Sequence, residues 1–157
     1  MKKVLFLLPI LAITLTGCFN TKTDELTEKS ISCTLSTNDV VNGYQLNSTY
    51  KINYTGDFVK SVETEEVVTS ENETIIDTFE ETLNNTYKKT NEAYGGYDYK
   101  VTRETGKVTS KVFIDYSKMN LEQFIKDQPS LSSYSKDNKL LVEGIKQMYT
   151  SLGAKCE

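Results

Sequence analysis

The sequence predicts an α+β fold: an antiparallel sheet of about five strands in the order βββ-α-ββ-α-α, with helices packed on one face. Three observations predict it. Apolar and polar residues alternate in five separate runs; turn signals of hairpin length, Asn42-Gly43 and Thr55-Gly56-Asp57, separate the first three; and one long stretch between the third and fourth runs switches to helical spacing. Short connections between neighbouring strands imply antiparallel pairing, and a sheet with one apolar face needs helices on that face.

Folded structure is expected to begin at Ser30. In ISCTLST the residues Ile31, Cys33 and Leu35 share one phase, so Cys33 points inward. After Asn42-Gly43, the residues Tyr44, Leu46, Ser48, Tyr50, Ile52 and Tyr54 hold one face over eleven positions, the strongest strand in the chain. The third run, FVKSVETEEVV, places Phe58, Val62 and Val68 together and alternates more weakly in its middle.

Ser70 followed by Glu73 reads as a capping box, and Ile75, Ile76, Phe79, Leu83 and Tyr87 then recur at helical spacing, predicting a helix over 71–92. Glu71 and Glu73 in its first turn, and Lys88 and Lys89 towards its end, complement the macrodipole. Gly95-Gly96 ends it. Tyr97, Tyr99 and Val101 form the inward face of a fourth strand, and Val108, Val112, Ile114 and Tyr116 that of a fifth beyond the Thr105-Gly106 turn. Asn120 with Gln123 opens a short helix carrying Leu121, Phe124 and Ile125, closed before Pro129. A last helix is predicted over 136–152, with Leu140, Leu141, Ile145, Met148 and Leu152 on one face and Gly153 as its stop.

Ahead of the domain, residues 1–17 have the layout of a secretory signal: Lys2 and Lys3, then an apolar run of about 13 residues, too short for the roughly 20 needed to span a bilayer. The run closes on Leu15-Thr16-Gly17-Cys18, which resembles the bacterial lipobox. Cleavage between Gly17 and Cys18, with lipid on the Cys18 thiol, is the expectation. A polar tether would follow to residue 29, and residues 30–157 would form one α+β domain anchored outside the cytoplasmic membrane. Removing Lys2 and Lys3 takes the formal charge from −4 to −6. With a single arginine and no basic stripe, nucleic acid is disfavoured as a partner.

Histidine is absent, which removes Ser-His and Cys-His nucleophile pairs and imidazole-bound zinc or copper. With Cys18 lipidated, Cys33 and Cys156 remain; an even count in an extracytoplasmic compartment suggests a disulfide, the alternative being two unpaired thiols. Ser48-Thr49-Tyr50-Lys51 matches the S-x-x-K nucleophile motif, but on a strand that spacing puts serine and lysine on opposite faces. Gly95-Gly96 precedes a strand, so it is no phosphate loop. Neither a cofactor nor a metal site is expected. The acidic group Glu63, Glu65, Glu66, Glu71 and Glu73 lacks a calcium-loop pattern and reads first as a solvated face, with a cation site or a carboxylate pair as lesser alternatives. Tyr94, Tyr97 and Tyr99 flank a glycine pair and could form a small aromatic surface for a glycan or peptide; the plainer account has the rings packed inward with wet hydroxyls. Four Asn-x-Thr/Ser tripeptides fit the glycosylation sequon by chance in a chain rich in both residue types.

YTGDFVKSVETEE, and FIDYSKMNLEQF running from a late strand into a leucine-led helix, resemble the small bacterial lipoproteins of the YehR-like kind over most of residues 44–152. The resemblance implies a monomeric α+β lipoprotein domain without an assigned activity. It supplies no catalytic residues and no counterpart for the Cys33 and Cys156 pair. The expected function is therefore a non-enzymatic binding or accessory role at the cell envelope, with a peptide, glycan or envelope protein as partner. A carboxylate-based or cation-dependent envelope hydrolase acting near Glu63–Glu73 or Asp115, and an inhibitor or immunity-type protein acting by strand addition, are the alternatives.

Overall fold

A computed structural model describes residues 27–157. The signal segment, Gly17, Cys18 and most of the tether lie outside the described residues. No helix among the described residues is long and apolar enough to cross a membrane.

The chain opens with three long strands in antiparallel succession, β1 (Glu28–Asp39), β2 (Tyr44–Thr55) and β3 (Phe58–Thr69). β1 begins two residues before the expected start, because Glu28 and Lys29 pair with Thr55 and Tyr54 at the far end of β2. Helix α1 (Glu73–Tyr94) then carries the chain to the sheet edge; β4 (Tyr97–Glu104) forms that edge and β5 (Lys107–Asp115) returns between β4 and β3. The hairpin inserts this way round because β5 buries Val108, Ser110 and Val112, whereas β4 turns Asp98, Lys100 and Glu104 outward. Charges on an edge strand discourage pairing with another chain.

α1 starts at Glu73, two residues later than predicted. Its cap is Asn72, whose side chain accepts from the Thr74 amide at 3.0 Å, while Ser70 Oγ accepts from the Asn72 amide at 3.1 Å. Glu73 is thereby released from a capping box and instead binds Arg103 and the Gly106 amide, tying the helix start to the β4–β5 turn. Lys88 and Lys89 fall short of the last turn, which holds no basic residue. Gly95 caps the end; at Gly96, with φ +79°, a Cβ would sit 2.7 Å from the Asp115 carbonyl oxygen, so the chain turns where only glycine fits.

α2 (Leu121–Asp127) is capped by Asn120, which accepts from the Gln123 amide. The long final helix divides. A 3-10 turn (Pro129–Tyr134) leads into a two-residue hairpin, β6 (Ser135–Lys136) and β7 (Lys139–Leu140), and only Val142–Ser151 is helical, as α3. Asp137 and Asn138, at φ 52° and 56°, form the hairpin turn; these residue types tolerate the left-handed region that a two-residue hairpin requires. The apolar positions of this segment mimic a helix face, but Leu140 buries from the hairpin and Leu141 bridges to Phe58.

A short strand missing from the sequence reading, β8 (Lys155–Cys156), completes a six-stranded sheet in the order β4-β5-β3-β2-β1-β8. Cys156 lies opposite Cys33 with Cα atoms 4.0 Å apart, and the two form a disulfide. The apolar core lies between the inner sheet face and the helices. It has two parts: Val68, Ile76 and Val108 beneath the start of α1, and a larger group around Ile52, Val62, Phe124, Leu140 and Ile145 beneath α2 and α3.

Candidate functional site

The division of the core follows from the strand registers. On the inner face, Ile31, Ile52, Val62, Ile114 and Tyr97 form an apolar row across β1, β2, β3, β5 and β4. Two residues along each strand from Ile52 and Val62, the row includes Tyr50 and Thr64. The next row reads Leu35, Ser48, Glu66, Ser110 and Val101, and beyond it Leu46, Val68 and Val108 resume the apolar pattern. A carboxylate flanked by two serines thus crosses the middle of the sheet beneath the helices.

Glu66 is inward by strand alternation alone. Its neighbour Glu65 must face out, so the acidic group is split between the two faces. Outside, Glu63 pairs with Lys51 at 3.1 Å and Glu65 with Lys111 at 3.4 Å, each with its cross-strand partner. Such exposed pairs contribute only about 0.2–1 kcal/mol, but they neutralise the outer acids. The Asn53 amide and then Lys51 hold the Glu63 carboxyl below the usual carboxylate range. The sequence expectation of a solvated face therefore holds for Glu63 and Glu65 and fails for Glu66.

Inside, the hydrogen bonds to the Glu66 carboxylate among the described residues all come from hydroxyls. Tyr87, from α1, donates to Oε2 at 3.1 Å; Ser110 approaches the same oxygen at 3.5 Å and the Tyr87 hydroxyl at 3.3 Å; Tyr50 donates to Oε1 at 3.4 Å. All four of these distances exceed the 2.5–3.0 Å of good O–H···O bonds. Among the described residues no lysine or arginine pairs with Glu66. Ser48, 3% exposed, has no hydrogen-bond partner at acceptable geometry, although its hydroxyl lies near enough to Tyr50 to ease that phenol's ionisation slightly. Tyrosine rings surround the group: Tyr149 of α3 stacks on Tyr50 with centroids 4.2 Å apart, and Tyr87 lies 5.5 Å from Tyr99.

Burial, and then the Glu66 charge, push the Tyr87 phenol well above its ordinary value; burial does the same to Tyr116 and Tyr149 and raises Tyr50 and Tyr97. Because the folded values are raised, this stabilisation is intact below about pH 10, where an unfolded tyrosine titrates, and is lost as pH rises beyond it. A spectrophotometric titration is expected to show two phases. The phenols that burial does not hold back ionise first; Tyr50, Tyr87, Tyr97, Tyr116 and Tyr149 ionise only together with the loss of the far-ultraviolet dichroism. One smooth phenolate transition completed while the dichroism is still native would contradict the placement of these rings.

The three tyrosines singled out from sequence do not form one platform. The Tyr94 ring meets Phe124 edge-on at 5.1 Å and its hydroxyl donates to Asp127 at 3.0 Å. Tyr97 packs against the larger core group, and Tyr99 faces Tyr87. Asp115 accepts from Ser117 and pairs with Lys118, which lower its carboxyl below the usual range. Ser48 and Lys51 take opposite faces, as the strand spacing requires. Sequence reasoning assigned Ser48 and Tyr87 to inward faces but missed that Glu66 and Ser110 join them; the available signal was the phase that Glu66 shares with Val62 and Val68.

On the outer face, Lys51, Glu65, Lys100, Lys111 and Phe113 line a shallow depression of about 560 Å³. Phe113 is 39% exposed there. Its charges are largely paired with each other, unlike the carboxylate beneath the helices.

No family model matches the chain, and no curated protein does. Two solved structures are similar to it. The NMR structure of the YehR protein of Escherichia coli is 20% identical, with a TM-score of 0.52, over 82% of this chain and 91% of that one. The NMR structure of a protein from Streptococcus pneumoniae TIGR4 is 14% identical, with a TM-score of 0.50, over 100% of this chain and 96% of that one. At these identities the likeness is one of fold, and in fold the chain is YehR-like.

Proposed function

We propose that the protein is a monomeric, lipid-anchored module outside the cytoplasmic membrane that binds a small ligand at Glu66 without transforming it. The carrying observation is a carboxylate set among neutral hydroxyl donors, with no base or second acid hydrogen-bonded to it among the described residues. The Tyr87 phenol, pushed further from ionising, donates a hydrogen bond at neutral pH but has little tendency to surrender its proton. A carboxylate hydrolase would need two acids facing each other across roughly 5–9.5 Å. Glu63, Glu65, Glu73 and Asp115 are each committed to a lysine or arginine instead. Strand addition is disfavoured by the charges along β4 and by β8, which occupies the middle of the β1 edge.

The anchor rests on the lipobox at Leu15-Thr16-Gly17-Cys18. Mass spectrometry of the protein recovered from membranes is expected to find an acylated Cys18 as the first residue, and Cys18→Ala to abolish both the acyl mass and cleavage at that bond. Recovery of the wild-type chain in the soluble fraction with residues 1–17 attached would overturn the anchored reading.

A further inference from the structure

We infer that the Glu66 centre receives a primary alkylammonium group, with its charge against the Glu66 carboxylate, one N–H on Ser48 Oγ, and its carbon chain against tyrosine rings. This deepens, and rests on, the reading of that centre as a binding site.

Two independent observations point to such a ligand. The first is electrostatic: Glu66 is partly buried on the inner sheet face and carries no cationic partner among the described residues. A carboxylate removed from water without a counter-charge is costly, and long bonds from neutral hydroxyls compensate it poorly. Oε1 receives only the 3.4 Å contact from Tyr50, although each carboxylate oxygen has two lone pairs. The second is the orphaned hydroxyl of Ser48, 97% buried and directly across the strand pair from Glu66. Side chains opposed in this way have Cβ atoms about 5 Å apart, so one ligand atom can reach both.

The ligand that answers both must be positive and must donate hydrogen bonds in more than one direction. An –NH3+ group carries three donors and no acceptor. The rings of Tyr50, Tyr87 and Tyr149 supply apolar area for the methylenes that adjoin an ammonium. A divalent metal fits less well: calcium and magnesium favour several charged or carbonyl oxygens, and no three acidic or cysteine groups converge among the described residues. Tyr87 reaches Glu66 from α1, which lies mainly over β4 and β5, whereas Tyr149 comes from α3, which lies against β8 and the 3-10 turn.

The test is calorimetric titration of the full-length protein in detergent with putrescine and, separately, with Nα-acetyl-lysine methylamide. The two arms distinguish a free amine from a lysine side chain. The protein has no tryptophan, so tyrosine emission, summed over its ten tyrosines, gives a second readout of binding. Saturable binding of at least one amine is expected, weakened at least about tenfold by Glu66→Gln, a factor equivalent to about 1.4 kcal/mol. Ser48→Ala is expected to weaken it by about threefold or more while leaving thermal unfolding unchanged or raised, since it removes an unsatisfied buried hydroxyl. Absence of saturable binding by both amines overturns the inference, as does equal binding by Glu66→Gln or by Ser48→Ala. Tetramethylammonium, potassium or calcium binding as tightly as the amines also overturns it. A neutral sugar bound in their place, and lost in Glu66→Gln, would overturn the ammonium assignment while sustaining a binding site at Glu66.

Discussion

Reduction of the Cys33–Cys156 bridge is expected to lower the unfolding free energy by about 5 kcal/mol and the midpoint of thermal unfolding by about 15 °C. The bridge joins residues separated by 123 positions, so opening it restores nearly the whole chain's loop freedom to the unfolded state. The folded state has little local structure with which to compensate. β8 is two residues long, and apart from its own pairing with β1 only reciprocal backbone bonds between Ser32 and Glu157, at 2.8 and 3.0 Å, extend it. Cys33 itself is fully buried at the centre of β1 and tolerates being a thiol, because a free cysteine behaves as a small apolar side chain. The loss should therefore appear as chain entropy rather than a disrupted core. Urea unfolding with and without reductant measures it, and Cys156→Ser should reproduce the reduced protein. Superimposable curves in the two conditions would show that the bridge closes no loop that matters to stability.

The pairing was open to inference from cysteine count and compartment, and the inward phase of Cys33 from alternation. The strand that receives Cys156 was not, because two residues carry no period and Lys155 and Cys156 acquire strand geometry only from the β1 edge. A similar limit explains α3. Leu140, Leu141, Ile145 and Met148 fit a helix face, and only the Asp137-Asn138 turn, whose local chemistry outweighs the apolar spacing around it, reveals that Leu140 belongs to a hairpin and that Leu141 stands ahead of the helix as its cap. Glu66 was hidden for a different reason. Three acidic residues within four positions read as one solvated cluster by composition, whereas alternation divides them, two out and one in. The long elements β1, β2, α1 and β5 were legible because each repeats its period often enough to outweigh one contrary residue.

Ile52→Ala is expected to cost about 3–4 kcal/mol, the second largest effect among these predictions. Ile52 is fully buried, with Ile31 opposite it on β1 and Val62 on β3, and Val62 in turn faces Ile114 on β5. The side chain is thus the keystone of an apolar row that crosses the central strands beneath Ile145 and Leu140, where surrounding groups have little freedom to close a cavity. Val41→Ala provides the internal comparison: at 95% exposure in the β1–β2 turn it should change stability by no more than about 0.5 kcal/mol. Urea denaturation of both variants gives the difference. A cost below about 1 kcal/mol at Ile52 would mean that its row is not sealed from water. The contrast between that dry row and the Ser48, Glu66 and Ser110 row is what makes Glu66 a polar centre set between two apolar regions, so the physical basis for treating it as a ligand site would weaken with it.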